Sequence, residues 1–251
     1  QGVSIDDLID FTPELRAEAE EILKDYTYGP LFTPLTVYEK DGNQGTIVVP
    51  GAEGGANWPG VSVDPETGIL YVQSATDPSV MGLVKPDARS NFNYMIKFGN
   101  VSGPQGLPLL KPPYRRITAI DLNTGEHAWQ IPFGMGPVDH PAIKHLNLGP
   151  LGTGFQLGVL AEGGLLVTKT LLIGFLPYVD PTGADRAAHG SLLQAYDKAT
   201  GELLGSIKVE PTLHGSPATF MHEGRQMIVI AAGGRGETPE LLAFALPEND
   251  E

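Results

Sequence analysis

Beyond residue 45 the apolar positions fall into short runs separated by Gly, Pro, Asn and Asp, with no long stretch at helical spacing. Strands are predicted over 46–49, 60–63, 70–73, 117–121, 128–131, 165–169, 171–175, 193–197, 204–209, 218–221, 227–231 and 241–245. Only the N-terminal segment reads differently. Leu15, Ala19, Ile22, Leu23 and Tyr26 recur on one helical face. Thr12 suits the N-cap, Pro13 the first helical position and Glu14 the positive end of the helix dipole, and Gly29-Pro30 is the expected stop.

The strands are joined by a recurring turn. Asp64-Pro65-Glu66-Thr67-Gly68, Asp121-Leu122-Asn123-Thr124-Gly125 and Asp197-Lys198-Ala199-Thr200-Gly201 share the pattern Asp-x-x-Thr-Gly. The Asp carboxylate can accept from a turn N–H, and Gly supplies the positive φ that closes the turn. Met221-His222-Glu223-Gly224-Arg225 is a further glycine turn. Repeated hairpins of this kind predict an all-β fold, a partial β-propeller with a short N-terminal helix. Grouping about four strands per blade gives two and a half to three blades. The first runs from about 58 to 131, the second from about 158 to 209, and an incomplete third from about 216 to 245. Two stretches, 77–113 and 134–158, read as insertions. The expected division is a helix and connector over 1–45 and a partial propeller over 46–251. Because propellers close with about 4–8 blades, further blades are expected as partners.

Composition narrows the function classes. The chain has 251 residues and a net charge of −14, with no basic run, which argues against nucleic acid. It has no cysteine, so disulfides, thiolate catalysis and thiolate metal sites are excluded. The most apolar stretch, 165–179, contains Lys169 and Pro177 and is too short to span a bilayer as a helix. The six histidines form neither His-x-x-x-His nor His-Glu-x-x-His, and each reads as structural or exposed. Gly233-Gly234-Arg235-Gly236 matches no phosphate-binding pattern and reads as a loop carrying one cation.

Gly54-Gly55-Ala56-Asn57-Trp58 offers a different chemistry. Asn57 has an amide that donates and accepts, Trp58 a flat apolar face, and the glycines permit close backbone approach to a ligand. The same residues would equally suit a Trp filling the gap between blades, with Asn turning the chain. Trp129, which follows the second Asp turn, is expected to pack between adjacent blades, and Gly205 stands at the matching place after the third.

These motifs carry a resemblance to a family. Asp10-Phe11-Thr12-Pro13-Glu14-Leu15-Arg16-Ala17-Glu18, Gly29-Pro30-Leu31-Phe32-Thr33-Pro34, Gly54-Gly55-Ala56-Asn57-Trp58, Lys111-Pro112-Pro113-Tyr114 and 226–234 occur in order. Together they resemble the C-terminal part of membrane-type PQQ-dependent quinoprotein dehydrogenases of the glucose/quinate/shikimate group. The resemblance implies an eight-bladed propeller in the complete protein, with pyrroloquinoline quinone (PQQ) and Ca²⁺ or Mg²⁺ near its axis. It implies oxidation of a sugar, polyol or cyclic hydroxy acid, electrons passed to a quinone, and a periplasmic, membrane-associated location. It places the catalytic aspartate, the metal ligands and the basic residue beside the quinone upstream of Gly54. Of the family's site residues it transfers only Asn57 and Trp58, as cofactor contacts, so no catalytic or metal residue is assigned and the chain alone is expected to be inactive. Arg115 stands where relatives often have Gly, and Arg235 where some have His. A non-catalytic propeller scaffold is the alternative. A carbohydrate-binding module, using exposed aromatics such as Tyr94 and Tyr114, is a third.

Overall fold

The computed structural model describes residues 2–52, 54–57, 59–153, 163–179, 188–234 and 236–246. It contains one α-helix, α1 (Pro13–Leu23), and then strands in the following order. These are β1 (Thr36–Val37), β2 (Thr46–Val48), β3 (Ser62–Asp64), β4 (Ile69–Ala75), β5 (Ser79–Val84), β6 (Met95–Asn100), β7 (Arg115–Asp121) and β8 (His127–Pro132). They continue as β9 (Leu166–Val167), β10 (Leu171–Val179), β11 (Ala188–Asp197), β12 (Leu203–Val209), β13 (Leu213–His222), β14 (Arg225–Ala232) and β15 (Glu240–Ala245). Each of the twelve expected strands is present. The chain forms two compact units: residues 1–55, 75–115 and 135–156, and residues 56–74, 116–134 and 157–251.

The first unit is built on α1. The Thr12 hydroxyl accepts from the Leu15 N–H at 3.2 Å, as an N-cap does, and Leu15, Ala19 and Leu23 are buried. The helix stops at Leu23, short of the expected Gly29-Pro30, because tertiary pairing takes the chain over. Asp25 O accepts from Gln44 N and Thr27 N donates to Gly45 O. The stretch 77–113, read from sequence as an insertion, supplies real strands. β5 pairs with β1, β2 and β6. The other insertion, 134–158, contributes Val138, Ile143 and Leu151 to the core around α1.

The second unit holds three sheets, ordered β3-β4-β7-β8, β9-β10-β11-β12 and β13-β14-β15. Two hydrophobic layers lie between them, and β10 explains both. In a strand, alternate side chains point to opposite faces. Leu172 and Leu176 join Tyr71, Ile117 and Phe133 on one side. Ile173 and Phe175 join Leu213 and Ile230 on the other. A strand buried on both faces needs the continuous apolar run Leu-Leu-Ile-Gly-Phe-Leu. Each such fully buried Leu or Phe contributes about 1.5–3 kcal/mol of transfer free energy. Gly174 lacks a side chain because Leu165 and Phe133 fill that space, 2.8 and 3.0 Å from where a Cβ would sit.

The Asp-x-x-Thr-Gly turns have the expected chemistry. Asp121 Oδ1 accepts from Asn123 N at 2.8 Å, Asp197 Oδ1 from Ala199 N at 2.8 Å and Asp64 Oδ1 from Glu66 N at 3.1 Å. The closing glycines Gly68, Gly125 and Gly201 all have positive φ.

One of these turns also joins the first two sheets. Lys198 O accepts from the Tyr71 hydroxyl at 3.0 Å and from Trp129 Nε1 at 3.2 Å. Lys198 Nζ lies 2.6 Å from Asp64 Oδ2, with the Asp64 side chain buried and that of Lys198 largely so. The Trp129 ring packs on the same turn: a Cβ on Gly201 would fall 2.9 Å from Trp129 Cε3. Trp129 thus packs between blades. A side chain at Gly205, its counterpart on β12, would meet open space.

Two outcomes are expected from this joint. Trp129→Ala should cost about 2–3 kcal/mol in a urea titration, and Trp129→Phe less, about 1–2 kcal/mol, for the indole hydrogen bond and part of the ring packing on Gly201. The second concerns Asp64. Its hydrogen bond from Lys198, aided by the Thr67 hydroxyl, holds its carboxyl down at about 2. A lowered carboxyl pKa stabilises the fold above the unfolded value of about 4, and that stabilisation fades as pH falls towards 2. Melting temperature should therefore drop more steeply between pH 4 and 2 in the native chain than in Asp64→Asn; parallel curves would remove Asp64 from the joint.

Candidate functional site

Along the chain, Gly54 and Gly55 belong to the first unit and Asn57 to the second. In the first unit Gly54 has φ +83 and donates to Gly51 O at 3.0 Å, while Gly55 O accepts from Ala75 N at 2.7 Å. In the second unit Asn57 opens the loop leading into β3. It is exposed, and its carbonyl accepts from Gly60 N at 3.1 Å. Trp58 and Arg235 lie outside the described residues.

Two residues after Asn57, Pro59 belongs to a polar seam formed at the first strand of each sheet in the second unit. The Ser62 hydroxyl on β3 donates to Leu165 O, just before β9. Gly163 bridges Gly215 in parallel, and Gly164 N donates to Gly215 O at 3.0 Å. The Ser216 hydroxyl on β13 reaches back to Pro59 O, two residues from Asn57, at 3.1 Å. Gln73 on β4 donates its amide to Gly163 O, and its Oε1 is buried with no hydrogen-bond partner among the described residues. Glycine recurs along this seam for a steric reason. A Cβ on Gly163 would sit 2.4 Å from the Phe175 ring, and one on Gly164 would sit 2.5 Å from Ser216 Oγ.

The donors and acceptors of the seam are amides, hydroxyls and backbone carbonyls. Such groups can hydrogen-bond the edge of a flat, polar ligand and fix its orientation. They supply no base for abstracting a proton from an alcohol, which would take a carboxylate or imidazole. Among the described residues no group of three or more His, Cys, Asp or Glu is placed to hold a metal ion. The Ser62 and Ser216 hydroxyls and the Gln73 amide N–H are already paired within the seam, which leaves the buried Gln73 Oε1 as its acceptor without a partner among the described residues.

The other sequence candidates separate into structural roles. His140 accepts from Ala142 N at 3.2 Å through Nδ1, which fixes a local turn. Arg115 is buried at the start of β7. Tyr114 is 2% exposed, so it cannot offer a sugar-stacking face as the carbohydrate-binding reading required. Burial pushes its phenol pKa up. Tyr94 is exposed. Sequence reading missed Ser62, Gln73 and Ser216. The signal available for them was positional: each lies within a few residues of a glycine in or beside the first two strands of a blade.

A family model described as "PQQ: Glucose/ethanol/alcohol dehydrogenase, beta-propeller domain" matches residues 1–228. A probable quinate dehydrogenase (quinone) of Xanthomonas campestris pv. juglandis is 26% identical over 242 residues, covering 84% of this chain and 28% of its own length. The quinoprotein glucose dehydrogenase of Escherichia coli K12 is 27% identical over 248 residues, covering 88% of this chain and 28% of the relative. A glycerol dehydrogenase large subunit of Gluconobacter oxydans is 28% identical over 251 residues, covering 87% of this chain and 31% of that subunit. The chain thus spans less than a third of the length of these relatives. In fold it is similar to the quinohemoprotein alcohol dehydrogenase of Comamonas testosteroni, with a TM-score of 0.50 at 20% identity, covering 87% of this chain and 32% of that one. The paired sheets, the Asp turns and the match over most of its length place this chain in the PQQ β-propeller family of glucose, ethanol and alcohol dehydrogenases.

Proposed function

We propose that this chain is a sector of a PQQ-dependent dehydrogenase that oxidises a sugar, polyol or cyclic hydroxy acid and passes the electrons to a quinone. The observation that carries the reading is the match of residues 1–228 to the PQQ β-propeller family, with the Gly-Gly-x-Asn stretch leading into the first strand of a blade. When bound, PQQ supplies the two-electron acceptor. The chain's own contribution is orientation. Asn57, with Trp58 beside it, would hold one edge of the quinone. The general base, the Ca²⁺ or Mg²⁺ ligands and the remaining blades would come from outside these residues. A periplasmic, membrane-associated location belongs to the same proposal.

The test is dye reduction with glucose, glycerol or quinate by the polypeptide that carries the remaining blades, assayed with and without PQQ and divalent ion. Turnover should require both, and Asn57→Ala should weaken PQQ binding about tenfold, the loss of one hydrogen bond to a charged or strongly polar group. The 251-residue chain alone should turn over none of these substrates. Turnover without PQQ would overturn the assignment. Failure to bind PQQ in any form would leave a propeller scaffold as the better reading.

A further inference from the structure

The loop that leads to Asn57 is held by ties that its own composition does not supply. Residues 51–55 read Gly-Ala-Glu-Gly-Gly, three glycines in five positions. Such a stretch has wide backbone freedom and no large apolar side chain to pack. Its conformation therefore depends on hydrogen bonds to its backbone. Gly54 N donates to Gly51 O at 3.0 Å within the loop. Three further ties run to one short segment, 75–79, in the same unit. Ala75 N donates to Gly55 O at 2.7 Å, Gly51 N donates to Asp77 O at 2.9 Å, and Ala52 N donates to the Ser79 hydroxyl oxygen at 3.0 Å.

Ala75, Asp77 and Ser79 are spaced by two, the spacing at which an extended chain turns one side to a neighbour. The fit is close. A Cβ on Gly51 would lie 2.4 Å from Ser79 Oγ and 2.5 Å from Asp77 O, so only glycine lets the loop seat there. Ser79 is itself fixed from the other direction. It opens β5, opposite Val48 on β2 and Asn100 on β6. The loop thus hangs on a residue that the sheet holds in place. Of the three ties, that of Ser79 is made by a side chain, so a substitution removes it without altering the backbone. Asn57 follows Gly55 by two residues, a reach of at most about 7 Å. Holding the loop to Gly55 confines Asn57 to that radius.

We propose that Ser79 is a positioning residue for the cofactor edge: its hydroxyl holds the 51–55 loop in one arrangement and so keeps Asn57 where it meets the quinone. This inference rests on the proposed contact between Asn57 and PQQ. Ser79 touches neither substrate nor cofactor and acts through the loop. A glycine loop released from one of its ties samples more conformations, and a ligand then binds the fraction that keeps the competent one. The Ala52–Ser79 bond is exposed, so water replaces it once it is lost. Its removal therefore affects the placement of Asn57 more than the stability of the fold.

The experiment uses the polypeptide that carries the remaining blades. Without PQQ, amide hydrogen exchange at Ala52 should be about fivefold faster in Ser79→Ala than in the native protein, at an unchanged melting temperature. With PQQ and Ca²⁺, equilibrium dialysis should show Ser79→Ala binding the cofactor about fivefold more weakly. Ser79→Thr, which keeps the hydroxyl, should stay within about twofold of native. Because Ser79 acts through Asn57, the double variant Ser79→Ala, Asn57→Ala should bind PQQ no more weakly than Asn57→Ala alone. Unchanged exchange at Ala52, additive losses in the double variant, or a Ser79→Thr as weak as Ser79→Ala would overturn the positioning role. So would full PQQ affinity in Ser79→Ala where Asn57→Ala weakens it; the contact at Asn57 would then stand without Ser79. Full PQQ affinity in Asn57→Ala would overturn that contact and this inference with it.

Discussion

The arrangement of the second unit turns on a single backbone carbonyl, Lys198 O, which receives donors from two strands of the neighbouring sheet. Tyr71 comes from β4 and Trp129 from β8, so two strands of one sheet converge on the same carbonyl. The Lys198 ammonium then reaches Asp64 at the end of β3. A partly buried ion pair contributes little net stability, because desolvating the charges offsets most of their attraction. Its value here is register: only one rotation of the second sheet against the first brings the carbonyl to Tyr71 and Trp129 and the ammonium to Asp64 together. The apolar layer around Tyr71, Phe133 and Leu172 supplies the bulk of the cohesion, but apolar contacts alone tolerate sliding.

This joint bears on the candidate site through β3. Asp64 closes β3, while Ser62 on the same strand ties to Leu165 and the loop before it carries Asn57. Fixing one end of a three-residue strand fixes the other. The second joint, between the middle and third sheets, has Gly205 where Trp129 stands in the first, and is tied by the buried Ser191 hydroxyl on β11, which accepts from Leu213 N on β13 at 2.9 Å. Packing of Phe175 and Ile173 against Leu213 and Ile230, with the Gly163–Gly215 bridge, also holds those sheets.

What was legible in the sequence was local. The Asp-x-x-Thr-Gly turns, the cap at Thr12 and the continuous apolar run of β10 each depend on residues a few positions apart, and each appears as expected. The grouping into blades followed, because the turns mark the outer hairpins. Contacts between distant residues were not legible. Nothing in the string reveals that Lys198 meets Asp64 across 134 positions, or that Ser216 meets Pro59 across 157. The β5–β6 hairpin escaped for a related reason: its exposed strand lacks polar–apolar alternation, and β5 is defined by pairing with β1 and β2. At the site, Asn57 was found from a motif, whereas Gln73 and Ser216 belong to no motif and emerge only when the first strands of three blades are brought together.

The most direct test of the account is a crystal structure of the blade-complete protein with PQQ and Ca²⁺. The account places one edge of the quinone within hydrogen-bonding distance of the Asn57 amide, with the metal held entirely by residues outside this chain. A quinone bound away from Asn57, or a metal ligated by side chains of these residues, would contradict it.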